Sequence, residues 1–134
     1  AREQHIKREK SSSSICSNEA LCALTASVYL AAMGPTGLAE AARQSYDKAH
    51  YLAKRLCDIP GVKLVHSGDF FNEFLVELPF CGCKLESFLA EMGILSGLPL
   101  EGHRMLWCCT EKNTKAQMDQ VAALTAQFAE EVAK

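Results

Sequence analysis

Three groups of residues in this 134-residue chain have the types and spacing that chemistry needs. The first is "KREKSSSSICSN", residues 7–18, where a basic cluster runs into four serines ahead of an apolar stretch. Short hydroxyls and free backbone N–H groups at a helix start suit an anion, above all a phosphate. The same serines suit a plain N-cap, with Ser14 or Ser17 closing the helix and the others solvated. Arg2, His5, Lys7, Arg8 and Lys10 are then either a solvated face or a cationic approach to that loop.

The second group is the seven cysteines. Cys81 and Cys83 form a C-x-C, Cys108 and Cys109 are adjacent, and Cys16, Cys22 and Cys57 stand alone. Structural zinc sites use C-x(2–4)-C pairs joined by a second pair or by histidines, and that pattern is absent. On a strand, Cys108 and Cys109 would point to opposite faces and could not grip one ion together. The odd count and the apolar neighbours favour reduced thiols acting as small hydrophobes. The expectation is therefore no metal and a cytoplasmic location; the rival is a stand-alone metal or redox module built on these cysteines.

The third group is scattered. Arg104 precedes an apolar strand-like run and reads, from the residues alone, as an ordinary exposed or structural Arg. His50, in "KAHYLAKRL", reads as a helix-packing histidine, and His66 and His103 lie near strand ends without a matched partner. No residue is assigned a catalytic role.

The elements that must position these groups follow from patterning. The composition, 49% hydrophobic and 22% charged, is that of a globular domain. A formal net charge of −2 provides no global attraction to nucleic acid or to an acidic membrane. The apolar run Ala20 to Met33 is short and carries Thr25, Ser27 and Tyr29, so no membrane span is expected. The chain shows no signal-peptide pattern, and it begins without Met inside a charged segment, as a piece of a longer chain would.

Ala20 to Met33 is apolar nearly all round, which predicts a helix buried on several sides. "MGPTG" should break it. Leu38 to Leu56 predicts a second helix, capped by Thr36, with Leu38, Ala41, Ala42, Ser45, Ala49, Leu52 and Leu56 inward. "VKLVH" and "FLVEL" alternate and read as strands around the turn-rich "SGDFFNE", where Phe70, Phe71 and Phe74 are core and Asn72 and Glu73 shape the turn. "CKLESFLAEMG" is a helix with Leu85, Phe88, Leu89 and Met92 inward and Gly93 as its stop. "GILSGLPLEGH" reads as a Gly-rich connection and "RMLWCC" as a third strand. Thr114 and Gln117 form a capping box for a last helix with Met118, Val121, Ala122, Leu124, Phe128 and Val132 inward. The order α-α-β-β-α-β-α predicts an α+β domain, a small and mainly antiparallel sheet covered by helices.

Several strings are more specific than helix or strand patterns. "REQHIKREK", "SICSNEAL", "VYLAAMGPTGLAEAA", "FFNEFLVELP", "GILSGLPL" and "CCTEKNTKAQMD" resemble the P-proteins of the glycine cleavage system, glycine dehydrogenase (decarboxylating), in the form split across two chains. The resemblance is to subunit 1 and runs over essentially the whole length. It implies that residues 1–134 are the C-terminal small domain of a fold-type-I pyridoxal-phosphate enzyme, with 1–17 as a basic, Ser-rich leader.

It also implies an activity for the complete heterotetramer. Glycine is decarboxylated with pyridoxal phosphate as electron sink, and the aminomethyl group passes to the lipoyl group of H-protein. The Schiff-base lysine belongs to subunit 2, and no lysine here matches its motif, so the isolated segment is expected to be inactive. The family reads close to K-A-T-S-N-I-C-T where this chain has Lys10 to Ser17. By analogy with a similar loop in cysteine desulfurases, Ser12, with Ser13 and Ser14 nearby, would donate to the phosphate of a cofactor held by the partner. Ser12 keeps the hydroxyl of the family Thr, whereas Ser14 lacks the family Asn's amide. Many fold-type-I enzymes place an Arg at the start of the last strand to clamp the substrate carboxylate in a bidentate pair, and Arg104 occupies a comparable place, although subunit 1 does not generally keep an Arg there. The small domain of another fold-type-I enzyme, such as a cysteine desulfurase, is the alternative; the absent reactive-cysteine loop argues against it.

Overall fold

The computed structural model describes residues 19–133. Ser12, Ser13 and Ser14 and the basic leader lie outside the described residues. The chain divides into two compact units, the first ending at Leu38 and the second running from Ala39.

Helix α1, Ala20–Cys57, crosses that boundary and is interrupted at Gly34, whose φ of 61° and ψ of 178° are not helical. A side chain would be strained there, and Pro35 follows as the first residue of the resumed helix, where its missing N–H is not needed. The expected break is therefore at Gly34 rather than at a Thr36 cap. The expectation that residues 20–33 are buried on several sides is corrected: Leu21 is 73% exposed, and Leu24, Val28, Tyr29 and Leu30 are also exposed. Among the described residues of its own unit, this helical segment has no other element to pack on. Its polar groups turn back on the helix, Thr25 Oγ1 donating to the Leu21 carbonyl at 2.9 Å and Ser27 Oγ to that of Ala23 at 2.9 Å. By length and composition alone α1 is apolar enough to cross a bilayer, with a mean hydropathy of 1.4 over its window, a measure that core helices of soluble proteins also meet.

The second unit is built on a four-stranded antiparallel sheet in the order β1-β2-β4-β3. The strands are β1 (Lys63–Leu64), β2 (Glu73–Glu77), β3 (Leu98–Leu100) and β4 (Arg104–Cys108), with helices α2 (Gly82–Glu91) and α3 (Lys115–Val132). Alternation turns Phe74 and Val76 of β2, and Met105 and Trp107 of β4, to the buried face. They form one core with Ala49, Leu52 and Leu56 of α1, Leu85 and Leu89 of α2, and Met118 and Phe128 of α3. The opposite face carries a half-open leucine row, Leu75, Leu106 and Leu98, which stand directly opposite one another across β2, β4 and β3. This is the α+β arrangement the patterning predicts.

Three local readings change. Residues 98–100 are a strand and not a loop; Pro99 disguises it, and an edge strand is where a sheet tolerates proline. Met92 and Val132, at the ends of α2 and α3, and Phe71, in the turn before β2, are exposed rather than inward. Thr125, overlooked in the apolar stripe of α3, is fully buried and satisfies its hydroxyl on the Val121 carbonyl at 2.8 Å. The capping box is present as expected: Gln117 N donates to Thr114 Oγ1 at 3.3 Å, and Thr114 N to Gln117 Oε1 at 2.9 Å.

Candidate functional site

A cavity of about 580 Å³ lies in the second unit beside the end of β4. It exists because β3 pairs no further than Leu98 opposite Leu106, so segment 93–97, and not a strand, accompanies Trp107 and Cys108. Leu52, Ile94, Met118 and Val121 give it an apolar floor. Segment 93–97 is held close: a Cβ on Gly97 would stand 2.5 Å from the Leu106 carbonyl oxygen and 2.9 Å from the Trp107 ring. Only glycine allows that approach.

Three polar side chains of the cavity, Trp107, Asn113 and Gln117, can offer donors. Trp107 is 5% exposed, and its indole N–H has no acceptor among the described residues. Such an unpaired buried donor costs about 1–3 kcal/mol. Asn113 Oδ1 is already occupied by the Thr110 N–H at 2.8 Å, and Gln117 Oε1 by the capping box. Both amide carbonyls are therefore used locally, while their NH₂ groups remain to donate. The arrangement suits a hydrogen-bond acceptor carried on an apolar body. Among the described residues, no carboxylate, amine, guanidinium or imidazole lines it. The two lining thiols are poor nucleophiles: burial pushes Cys109 up to about 11, and burial followed by the Glu73 carboxylate raises Cys108. Among the described residues, these two raised thiols are the only titratable side chains that line the cavity.

Arg104 does not line this cavity. It starts β4 on the open face, opposite Glu77 and Leu100, and its Nε donates to the Glu101 carbonyl at 2.9 Å. His50 is the packing histidine expected: its ring stacks on Phe70 at 4.0 Å, and Nδ1 lies 2.9 Å from the Tyr46 carbonyl. Tyr46 and His50 both face Asp69, at 3.1 and 3.6 Å, tying α1 to the turn before β2. Asn72 shapes that turn, its carbonyl accepting from Cys109 N at 2.9 Å. The cavity itself escaped sequence reasoning because four separated segments build it; Gly97 was the one local signal.

An open antiparallel sheet with its helices on one face places the chain among α+β domains, and comparison with known proteins narrows the class. A crystal structure of glycine decarboxylase (P-protein) of the glycine cleavage system, in inhibitor-bound form, shares the fold with a TM-score of 0.79 and 33% identity, over 90% of this chain and 28% of that one. The model of the glycine cleavage system P-protein family matches residues 1–125. The chain belongs to that family. It is 45% identical over 126 residues to a probable glycine dehydrogenase (decarboxylating) subunit 1 of Thermomicrobium roseum, covering 90% of this chain and 28% of the relative. It is 46% identical over 129 residues to the corresponding protein of Chlorobium limicola, covering 93% of this chain and 29% of that one. The chain thus spans under a third of the length of the relatives it matches.

Proposed function

We propose that the chain is the small-domain portion of a glycine dehydrogenase (decarboxylating) subunit 1, contributing scaffold and interface and no catalytic group of its own. The observation that carries this is the 45–46% identity, over nine-tenths of the chain, to proteins bearing that name. In this reading the complete cytoplasmic heterotetramer, with subunit 2, decarboxylates glycine and passes the aminomethyl group to the lipoyl group of H-protein. Pyridoxal phosphate would supply the electron sink.

The Trp107 cavity does not fit that cofactor. A phosphate ester and an aldehyde call for cations and an amine, and the Trp107 cavity is lined by none. The reading therefore gives the cofactor to the partner subunit, and leaves Ser12, with Ser13 and Ser14, as the residues of this chain that would reach its phosphate.

Reconstitution tests the proposal. Full-length subunit 1 and subunit 2 together should catalyse glycine–bicarbonate exchange, and neither should do so alone. Full exchange by subunit 2 alone would overturn it. Ser12→Ala in the complete complex should weaken cofactor retention; unchanged affinity would reduce the serines to a helix cap.

A further inference from the structure

The wall of the Trp107 cavity is anchored at both ends. Segment 93–97 leaves α2 through Gly93, whose φ of 73° is left-handed. The Gly93 and Ile94 N–H groups donate back to the Ala90 and Leu89 carbonyls at 2.9 Å each, which fixes the exit from the helix. The other end is Gly97, which has no side chain and so lies against the Leu106 carbonyl and the Trp107 ring. Leu95 between them is 97% exposed and leaves the space unfilled. The floor is no freer to move, because Leu52 and Met118 belong to the buried core.

The lining then selects the occupant. A volume of about 580 Å³ falls within the roughly 300–1,000 Å³ of small-molecule sites. Leu52, Ile94, Met118 and Val121 suit an apolar body. Among the described residues no charged side chain lines the cavity, so neither an anion nor a cation would meet its counter-charge there. Three lining side chains have donors to spare. The Asn113 and Gln117 amides keep their NH₂ groups because their carbonyls are taken by the Thr110 and Thr114 N–H groups. The indole N–H of the buried Trp107 has no acceptor among the described residues, although native folds satisfy nearly all such groups.

We propose that this cavity binds a neutral small molecule bearing a carbonyl oxygen on an apolar ring or branched chain. The oxygen draws on the Trp107, Asn113 and Gln117 donors, and the apolar body lies over Leu52, Met118 and Val121. Binding is the whole of the event, and no covalent bond is made or broken. A carboxylate or phosphate in the same place would lose its hydration without gaining a cation, and an ammonium would face donors.

The test is titration of the isotope-labelled full chain with cyclohexanone, followed by NMR at the indole N–H of Trp107, its single tryptophan. That resonance should move saturably. Methylenecyclohexane, the same shape without the acceptor, should bind about tenfold or more weakly, and cyclohexanecarboxylate should not compete. Asn113→Asp keeps an acceptor for the Thr110 N–H but loses the amide donor, and should weaken cyclohexanone by about tenfold. Iodoacetamide alkylation locates the ligand without a variant: bound cyclohexanone should slow labelling of Cys108, which lines the cavity, and not of Cys83, which does not. An indole resonance that no ring compound moves, equal binding of the ketone and its methylene counterpart, or equal protection of Cys83 and Cys108 would overturn the proposal.

Discussion

The Tyr51 hydroxyl donates to Asp119 Oδ1 at 2.5 Å, joining α1 to α3 across a separation of 68 residues. Lys115 reaches the other carboxylate oxygen at 2.6 Å, and Arg55 Nε lies 3.3 Å from the first. Lys115, then Tyr51, then the Arg55 charge hold the Asp119 carboxyl below the ordinary aspartate range. The contribution of this cluster is therefore complete above the unfolded aspartate value, about 3.9, and is lost as pH falls through the lower folded value. Tyr51→Phe should lower the thermal midpoint by a few degrees at neutral pH. The deficit should shrink in thermal melts taken toward pH ~3; a deficit that does not change with pH would refute the linkage.

Gly97 predicts the cost of crowding the cavity wall. Gly97→Ala must move the Leu106 carbonyl or the Trp107 ring, so it should destabilise the chain by about 2 kcal/mol or more in urea unfolding. Trp107 is the single tryptophan, so its emission maximum should shift in the folded variant as well.

Leu89 and Leu95 give a matched contrast a few residues apart. Leu89 is fully buried in the core and Leu95 is 97% exposed. Leu89→Ala should cost about 2–5 kcal/mol, and Leu95→Ala should stay within about 0.5 kcal/mol. Comparable losses at both positions, measured by chemical denaturation, would contradict the assigned core.

Thr114→Ala removes one half of the capping box and leaves the Gln117 amide N–H of α3 unpaired. The expected loss is about 1 kcal/mol, with faster hydrogen exchange confined to the first turn of α3. Thr114→Ser should restore most of it.

What patterning could reveal depended on how local the cause was. The Thr114 capping box and the break near Gly34 rest on residues adjacent in sequence, and both are present. β3 was hidden because Pro99 argues against a strand unless its edge position is known. The helix of residues 20–33 was read as buried from its composition; composition reports what a segment would bury, not what is there to cover it. The Trp107 cavity joins residues from 52 to 121, so no short string could announce it. The C-x-C was visible as spacing, whereas the place of Cys81 at the cap of α2 depends on the fold.

Pro99 has a consequence beyond the disguise of β3. The free edge of a sheet is a template on which another chain can add a strand, and a continuous row of N–H groups makes the template work. β3 is one edge of this sheet, and Pro99 deletes a donor from the middle of its three residues. The other edge, β1, is only two residues long. Among the described residues neither side offers a run of backbone long and complete enough to copy, which guards the sheet against growing into fibres through its own ladder.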